Sequence, residues 1–238
     1  TSVATAILLF MIFLGVSKYG RIKLGRDDET PEFSMFSWIS MLFAAGMGIG
    51  LVFWGAAEPL TFFETPPPGT VEGGTLEAMQ TAQAQVLYHW GPQAWSFYAL
   101  VGVAIAYGSF RRGRTPLISS VFAPFLGEHK TTGPVGKTID IFSILVTLFG
   151  TAASLGLGAL QIGHGVELVS GIGELGNGVL IAVIAVLTAC FIASAASGVA
   201  KGIQALSNIN SVAAMILALF VFFVGPSLLI LNLLPGIA

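Results

Sequence analysis

Apolar residues recur along this 238-residue chain in six long stretches, separated by segments in which Gly, Pro and charged residues concentrate. A transmembrane helix needs about 20 mainly apolar residues to cross roughly 30 Å of hydrocarbon. We therefore predict six transmembrane helices, at residues 1–17, 35–56, 92–110, 139–163, 178–198 and 207–232. The first stretch begins without an initiator Met or a basic flank, so we expect the chain to be a fragment of a longer protein.

Three connecting features refine this pattern. The segment from Glu58 to about Gln85 contains Pro59 and the run Pro66-Pro67-Pro68, and is predicted to be an irregular loop. Residues 116–126 are too few to span, but apolar enough to lie along the membrane interface as a short helix. Gly225-Pro226 is expected to kink the sixth stretch, because Pro removes a backbone donor.

Composition supports a membrane protein. The chain is 55% hydrophobic and 9% charged, with a mean hydropathy of +0.86, whereas soluble domains carry about 25% charged residues. A cleaved signal peptide does not explain this, because the apolar stretches run along the whole length. The single Cys190 excludes a disulfide framework or a Cys-based metal site within the chain.

The charged residues predict an orientation. In a six-crossing model all ten Lys and Arg residues fall on one side of the membrane, which the positive-inside rule makes cytoplasmic. The opposite side carries acidic residues, namely Glu58, Glu64, Glu72, Glu77, Glu167 and Glu174. The net charge of −2 gives no reason to expect a nucleic-acid partner.

Glycines alternate in the second stretch. Gly46 and Gly50 form a small-xxx-small pair that would let another helix approach closely. Gly48 lies about 200° from Gly46 around a helix, so the three cannot share one packing face, and together they weaken the helix. A break at membrane depth frees carbonyl groups that can bind a cation. Close packing and a helix break both remain open.

Two further clusters carry polar or aromatic groups. Trp90, Trp95 and Tyr98 can converge on one side of the third helix, where they would act either as interfacial anchors or as a cation–π surface for a quaternary ammonium. Thr147 and Thr151 lie one turn apart, and would either bond back to their own helix or supply oxygen ligands to a cation. The sequence shows no nucleophile and base set that would support an enzyme.

The motif Gly-Met-Gly-Ile-Gly-Leu-Val-Phe-Trp-Gly-Ala-Ala-Glu-Pro-Leu at 46–60 closely resembles the signature of the betaine/carnitine/choline transporters. The resemblance extends over essentially the whole chain, and includes the motifs at 23–29, 107–114, 154–163 and 202–208. It is especially close to sodium-coupled glycine betaine carriers.

The resemblance implies an all-α membrane fold: the first half of a five-helix inverted-repeat (LeuT-like) transporter. Residues 1–17 would end a preceding transmembrane helix and 18–34 would form a cytoplasmic loop. Residues 35–232 would form the first five-helix repeat, and 233–238 would begin the connection to the second. The inverted copy, with further site residues, is expected beyond Ala238.

The resemblance also implies site residues. Trp90, Trp95 and Tyr98 match an aromatic cage around a trimethylammonium group, with an unwound segment beside it at Gly46, Met47 and Gly48. One sodium ion would be held by backbone carbonyls at Ala44 and Met47, and a second by the hydroxyls of Thr147 and Thr151. Gly50 stands where proton-coupled members tend to carry Asp, which favours sodium. Trp54 departs from close betaine carriers and leaves choline, proline betaine, ectoine and carnitine open.

The implied function is sodium-driven import of glycine betaine, or a related trimethylammonium osmolyte, across a bacterial inner membrane by alternating access. No organic cofactor is expected, and the lipid bilayer and a homotrimer are the implied partners. Two alternatives remain at this stage. One is a channel or receptor-like protein that binds the same ligand without coupling, and the other is an inactive fragment whose glycines and aromatics only pack.

Overall fold

The computed structural model describes residues 2–46, 48–171 and 173–233, and within these ranges the chain is helical without β-strands. The all-α prediction is therefore confirmed. The chain divides into two compact units, one formed by the residues up to Thr30 with Gln85–Phe149, and the other by Pro31–Ala84 with the residues from Gly150 onward.

The first unit is built around two apolar helices in contact, α1 (Ser2–Val16) and α5 (Pro92–Ala106). A 3₁₀ turn at Lys18–Arg21 follows α1, and a π-helical turn at Tyr107–Arg111 extends α5. Three short helices come next, α6 (Ile118–Val121), α7 (Ala123–Leu126) and α8 (Glu128–Thr132). The interfacial segment is thus two short helices rather than one, because Pro124 has no N–H to continue the turn from α6.

The second unit contains α2 (Met35–Gly46), α3 (Ile49–Glu64) and most of α4 (Leu76–Trp90). It also contains α10 (Asn177–Ala196), a π-helical turn at Val199–Ile203, α11 (Gln204–Val224) and α12 (Ser227–Leu233). Helix α2 packs against α11, and the predicted kink at Gly225-Pro226 separates α11 from α12. The long helix α9 (Pro134–Ser170) has residues in both units.

The predicted loop from Glu58 to Gln85 is wrong at both ends. Helix α3 runs through Pro59 to Glu64, and α4 begins at Leu76. The sequence after Thr75 is rich in strong helix formers, and the Thr75 hydroxyl accepts a hydrogen bond from the Ala78 N–H at 3.1 Å as a helix cap. Buried Ala78 and Ala82 are four residues apart on one face of α4, a helical spacing that the loop prediction overlooked.

Among the described residues, three helices are long and apolar enough to cross a membrane: α9, α10 and the continuous run Val199–Val224. They include most of the last three predicted stretches. The first predicted stretch is a 15-residue apolar helix, the second is divided between α2 and α3, and the third is α5 with its π-helical turn.

Most of the fully buried residues described are Ala and Ser, whereas large apolar side chains lie on the surface. This arrangement is typical of membrane helices, in which small residues permit close packing and large ones face lipid.

Candidate functional site

The predicted helix break lies between α2 and α3. Helix α2 ends at Gly46, Gly48 has an extended backbone with φ −89° and ψ −175°, and α3 begins at Ile49. Met47 lies outside the described residues. No atom of the described structure lies within 4 Å of the position that a Cβ on Gly48 would occupy, so no neighbour requires glycine there. The extended backbone of Gly48 agrees with the predicted helix break.

A cavity of about 440 Å³ lies beside Ala44, one turn before the break. Besides Ala44 it is lined by residues of α10, α11 and the turn between them, and its polar side chains are Ser194, Ser207 and Asn210. These oxygen-bearing groups were missed by the sequence analysis. The signal was present as the polar run Ser207-Asn208-Ile209-Asn210-Ser211 inside an otherwise apolar stretch.

A hydrogen-bond network connects α2 to α11 at the start of both helices. The Ser37 hydroxyl oxygen accepts from the side-chain amides of Gln204 at 2.9 Å and Asn208 at 3.1 Å. The Ser34 hydroxyl lies 3.2 Å from that of Ser37 and also accepts from the Ser37 N–H. Because Ser37 is buried, these bonds fix the start of α2 against α11, within the same unit as the break and the cavity.

The aromatic cluster lies in the first unit. The rings of Trp95 and Tyr98 are in contact in α5, with centroids 5.4 Å apart and planes inclined by 38°. The Trp95 indole N–H donates to the carbonyl oxygen of Trp90 at 2.8 Å. Trp95 remains 36% exposed and Tyr98 69% exposed. The structure thus brings the rings of Trp95 and Tyr98 together and holds the Trp95 indole on the backbone carbonyl of Trp90.

Trp90 is the last residue of α4, so it does not share a helical face with Trp95 and Tyr98 of α5, and placing all three on one helical wheel was wrong. Gly91 forms the turn, and Pro92 takes the first position of α5, which suits its fixed φ. A Cβ on Gly91 would collide with the carbonyl oxygen of Leu87, so this close approach requires glycine. The turn sets the position of Trp90 relative to Trp95.

Thr147 and Thr151 lie one turn apart in the middle of α9. The Thr147 hydroxyl donates to the Ser143 carbonyl oxygen at 2.9 Å, the back-bonded arrangement common for threonine in membrane helices. This bond uses the hydroxyl proton, and a hydroxyl oxygen that donates in this way can still act as an acceptor.

Ala44, Gly46 and Gly48 belong to one compact unit, and Trp90, Trp95 and Tyr98 to the other.

A model of the betaine/carnitine/choline family transporters matches residues 1–236. The chain belongs to this transporter family. The resemblance inferred from the motif at 46–60 is therefore confirmed. The family is one of transporters rather than enzymes, and the chain is a membrane protein.

Several curated relatives are similar over nearly the whole chain. The betaine/ectoine transporter LcoP of Corynebacterium glutamicum is 55% identical over 226 residues, which are 95% of this chain and 36% of the relative. The glycine betaine transporter OpuD of Bacillus subtilis is 47% identical over 94% of this chain and 43% of its own length. An ectoine/hydroxyectoine transporter of Virgibacillus pantothenticus is 42% identical, with coverages of 94% and 44%. The chain thus spans less than half the length of these transporters.

Proposed function

We propose that the protein carrying this chain is a secondary transporter that imports glycine betaine, or a related quaternary-ammonium osmolyte, in symport with sodium. The observation that carries the proposal is the helix break between Gly46 and Ile49, beside the cavity at Ala44, in a chain of this transporter family. Broken helices expose backbone groups that suit ions and zwitterions in transporters. The names of the relatives OpuD and LcoP support betaine as the substrate.

In this proposal the aromatic cluster binds the trimethylammonium group. Trp95 and Tyr98 offer one continuous aromatic face, and Trp90 fixes the indole of Trp95 through its carbonyl oxygen. A cation within about 6 Å of such rings is attracted by their quadrupoles. Gly46, Met47 and Gly48 are proposed as further substrate-binding residues, because backbone N–H groups at the start of a helix attract a carboxylate.

Sodium would be bound at two places. Backbone carbonyls at Ala44 and Met47 are proposed for one ion, and the hydroxyls of Thr147 and Thr151 for the other. Oxygen donors suit a hard cation. Sodium binding would favour the substrate-ready conformation by ordering the break, and alternating access would follow as a population shift.

The test is uptake of radiolabelled glycine betaine by the intact protein in proteoliposomes. We expect saturable uptake that requires an inward sodium gradient and exchanges label by counterflow. Uptake that continues unchanged when potassium replaces sodium would contradict the coupling. Non-saturable flux would instead indicate a channel, and binding without uptake a receptor.

Ectoine is a second candidate substrate, because two of the relatives are named as ectoine carriers. Ectoine combines a planar delocalised cation with a carboxylate, and a planar cation can stack on the open face of Trp95 and Tyr98. Competition against labelled betaine by unlabelled ectoine, choline and carnitine, each at equal concentration, would rank these substrates. Betaine is expected to compete best. Stronger competition by ectoine than by betaine would identify ectoine as the preferred substrate and would leave the family membership unchanged.

The proposed location is a bacterial inner membrane with the basic loops in the cytoplasm. A homotrimer is the proposed assembly, and mass measurement of the detergent-solubilised protein would test it.

A further inference from the structure

A polar contact between α6 and α9 indicates where the short helices lie relative to the bilayer. The carboxylate of Asp140 accepts from the Ser119 N–H at 2.9 Å and from its hydroxyl at 2.8 Å. Asp140 is the last Asp, Glu, Lys or Arg residue in α9 before Glu167, so the uncharged part of this span begins directly after it. Ser119 is 2% exposed and is held at that boundary. In a bilayer that α9 crosses, this contact would hold α6 at the start of the uncharged part of the span.

The outer side of the short helices is apolar. Helices α6, α7 and α8 contact one another, with Ser119, Ala123 and Thr131 buried on the inner side. Phe125 is 86% exposed, among the most exposed large apolar side chains described. Three more apolar side chains of the same segment are exposed, namely Leu117, Phe122 and Leu126. We call residues 117–126 the apolar ridge.

Basic residues border this ridge. Between positions 107 and 139 the chain has five Lys or Arg residues and one acidic residue, Glu128. Arg111 pairs with Asp27 and Arg114 with Glu128. Lys130 and Lys137 are exposed and form no ion pair within the described residues.

We propose that the apolar ridge, together with Lys130 and Lys137, is a docking surface for anionic phospholipid. Phe125 enters the acyl boundary, and the two ammonium groups contact lipid phosphates. An aromatic side chain at an interface combined with nearby cations is the usual chemistry of membrane-surface binding, and basic residues near a bilayer are attracted by anionic headgroups. The proposal does not depend on the transported substrate or on sodium.

Lipid accounts for the arrangement better than a protein partner does. The Asp140 contact holds α6 at the end of the uncharged part of α9, where lipid would surround a helix that crosses the bilayer. The excess of positive charge is complementary to anionic headgroups, whereas the centres of protein interfaces are depleted in lysine.

The test uses a nitroxide spin label at Phe125→Cys in the intact protein, in a background with Cys190→Ser and no other cysteine. The protein is reconstituted in phosphatidylcholine vesicles with or without phosphatidylglycerol. Collision rates with oxygen, which concentrates in acyl chains, and with a water-soluble nickel chelate report depth. We expect strong oxygen contact and weak nickel contact, with deeper immersion when phosphatidylglycerol is present.

Two further variants make the result specific. Lys130→Gln with Lys137→Gln is expected to abolish the dependence on phosphatidylglycerol. Lys18→Gln with Arg21→Gln, which removes two charges from another basic loop, should leave it unchanged. A label at Thr70→Cys in the segment after α3 provides the aqueous reference.

Three outcomes would overturn the proposal. The first is nickel access at position 125 equal to that at position 70. The second is immersion that is the same with and without phosphatidylglycerol. The third is exclusion of both reagents with an immobilised spectrum, which would show that protein covers Phe125.

Discussion

The indole N–H and the ring face of Trp95 have different partners. An interfacial anchor typically directs its indole N–H to water or lipid headgroups, but that of Trp95 donates to the Trp90 carbonyl oxygen at 2.8 Å. The ring is therefore oriented by the protein, and its exposed face lies beside Tyr98. This arrangement fits a binding surface better than an anchor.

Trp95→Ala removes this oriented ring and should raise the KM for betaine. Cation–π contacts contribute about 0.5–2 kcal/mol, which corresponds to a roughly 2- to 30-fold rise. Trp95→Phe keeps a ring and should show a smaller rise. The control is Phe97→Ala, an exposed aromatic on the opposite side of the same helix. Equal KM values for Trp95→Ala and Phe97→Ala in uptake assays would exclude Trp95 from the site.

The turn at Gly91 shows which residue positions could not be inferred from sequence. Aromatic spacing placed Trp95 and Tyr98 on one side of one helix, and their rings are in contact. The contact of Trp95 with the Trp90 carbonyl depends instead on the turn at Gly91. In that turn the Leu87 carbonyl oxygen lies close to the position that a Cβ on residue 91 would occupy. A helical wheel contains no such contact, so it treats Trp90 as part of the same helix as Trp95 and Tyr98.

At the scale of elements, the break between α2 and α3 depends on the low helix propensity of glycine. Ala is about 1 kcal/mol more favourable than Gly inside a helix. Alternating glycines were visible in the sequence, so the position of the break could be predicted. The polar lining of the cavity could not, because Ser194 and Ser207 reach it from two different helices.

Gly48→Ala should therefore favour a continuous helix and weaken sodium binding by about fivefold, the equivalent of roughly 1 kcal/mol. Steric clash does not explain such an effect, since the space around Gly48 is open. Gly55→Ala, in the interior of α3 with equally open space, is the matched control. The quantity to measure in each variant is the sodium concentration that gives half-maximal betaine uptake. An unchanged value for Gly48→Ala would mean that the break does not control sodium affinity.

A second element-level contact joins the 18–34 segment to the end of α5. The Arg111 guanidinium donates to the Asp27 carboxylate at 2.7 and 3.3 Å and to the Gly25 carbonyl at 3.1 Å. The hydrogen bond from Arg111 to the Asp27 carboxylate, together with the positive charge of Arg111, holds the pKa of Asp27 below its ordinary value. Asp27 is therefore charged in the folded chain at neutral pH, and protonates only in more acidic solution.

The sign of the pH effect follows from the lowered pKa. The Arg111–Asp27 contact stabilises the folded 18–34 segment fully at pH values above the ordinary carboxyl pKa. This stabilisation is lost as the pH falls through the lowered pKa of Asp27. Asp27→Asn should speed hydrogen exchange of the 18–34 amides at neutral pH by at most about fivefold, since exposed ion pairs are weak. The difference from wild type should vanish in strong acid. Asp28→Asn, which removes only a local pair with Arg26, is the control; a difference that persists in strong acid would contradict this account.

At the scale of the whole molecule, hydropathy identifies apolar helices more reliably than it counts crossings. A helix rises 1.5 Å per residue, so the 15 residues of α1 or α5 span roughly 22 Å, less than the hydrocarbon thickness of about 30 Å. The π-helical turn at Tyr107–Arg111 extends α5, but ends in arginine. Whether α5 crosses therefore decides whether all ten basic residues share one side.

Thiol labelling of the intact protein can test this crossing. Thr70 lies before α4, and Thr132 ends α8, so α5 is the one predicted crossing between them. In a Cys190→Ser background without other cysteines, Thr70→Cys should react with a membrane-impermeant maleimide on intact cells. Thr132→Cys should react only after permeabilisation, because basic loops are retained in the cytoplasm. Reaction of both positions from outside would remove α5 from the set of spanning helices. The basic residues would then be divided between the two sides, and the positive-inside rule would assign no orientation.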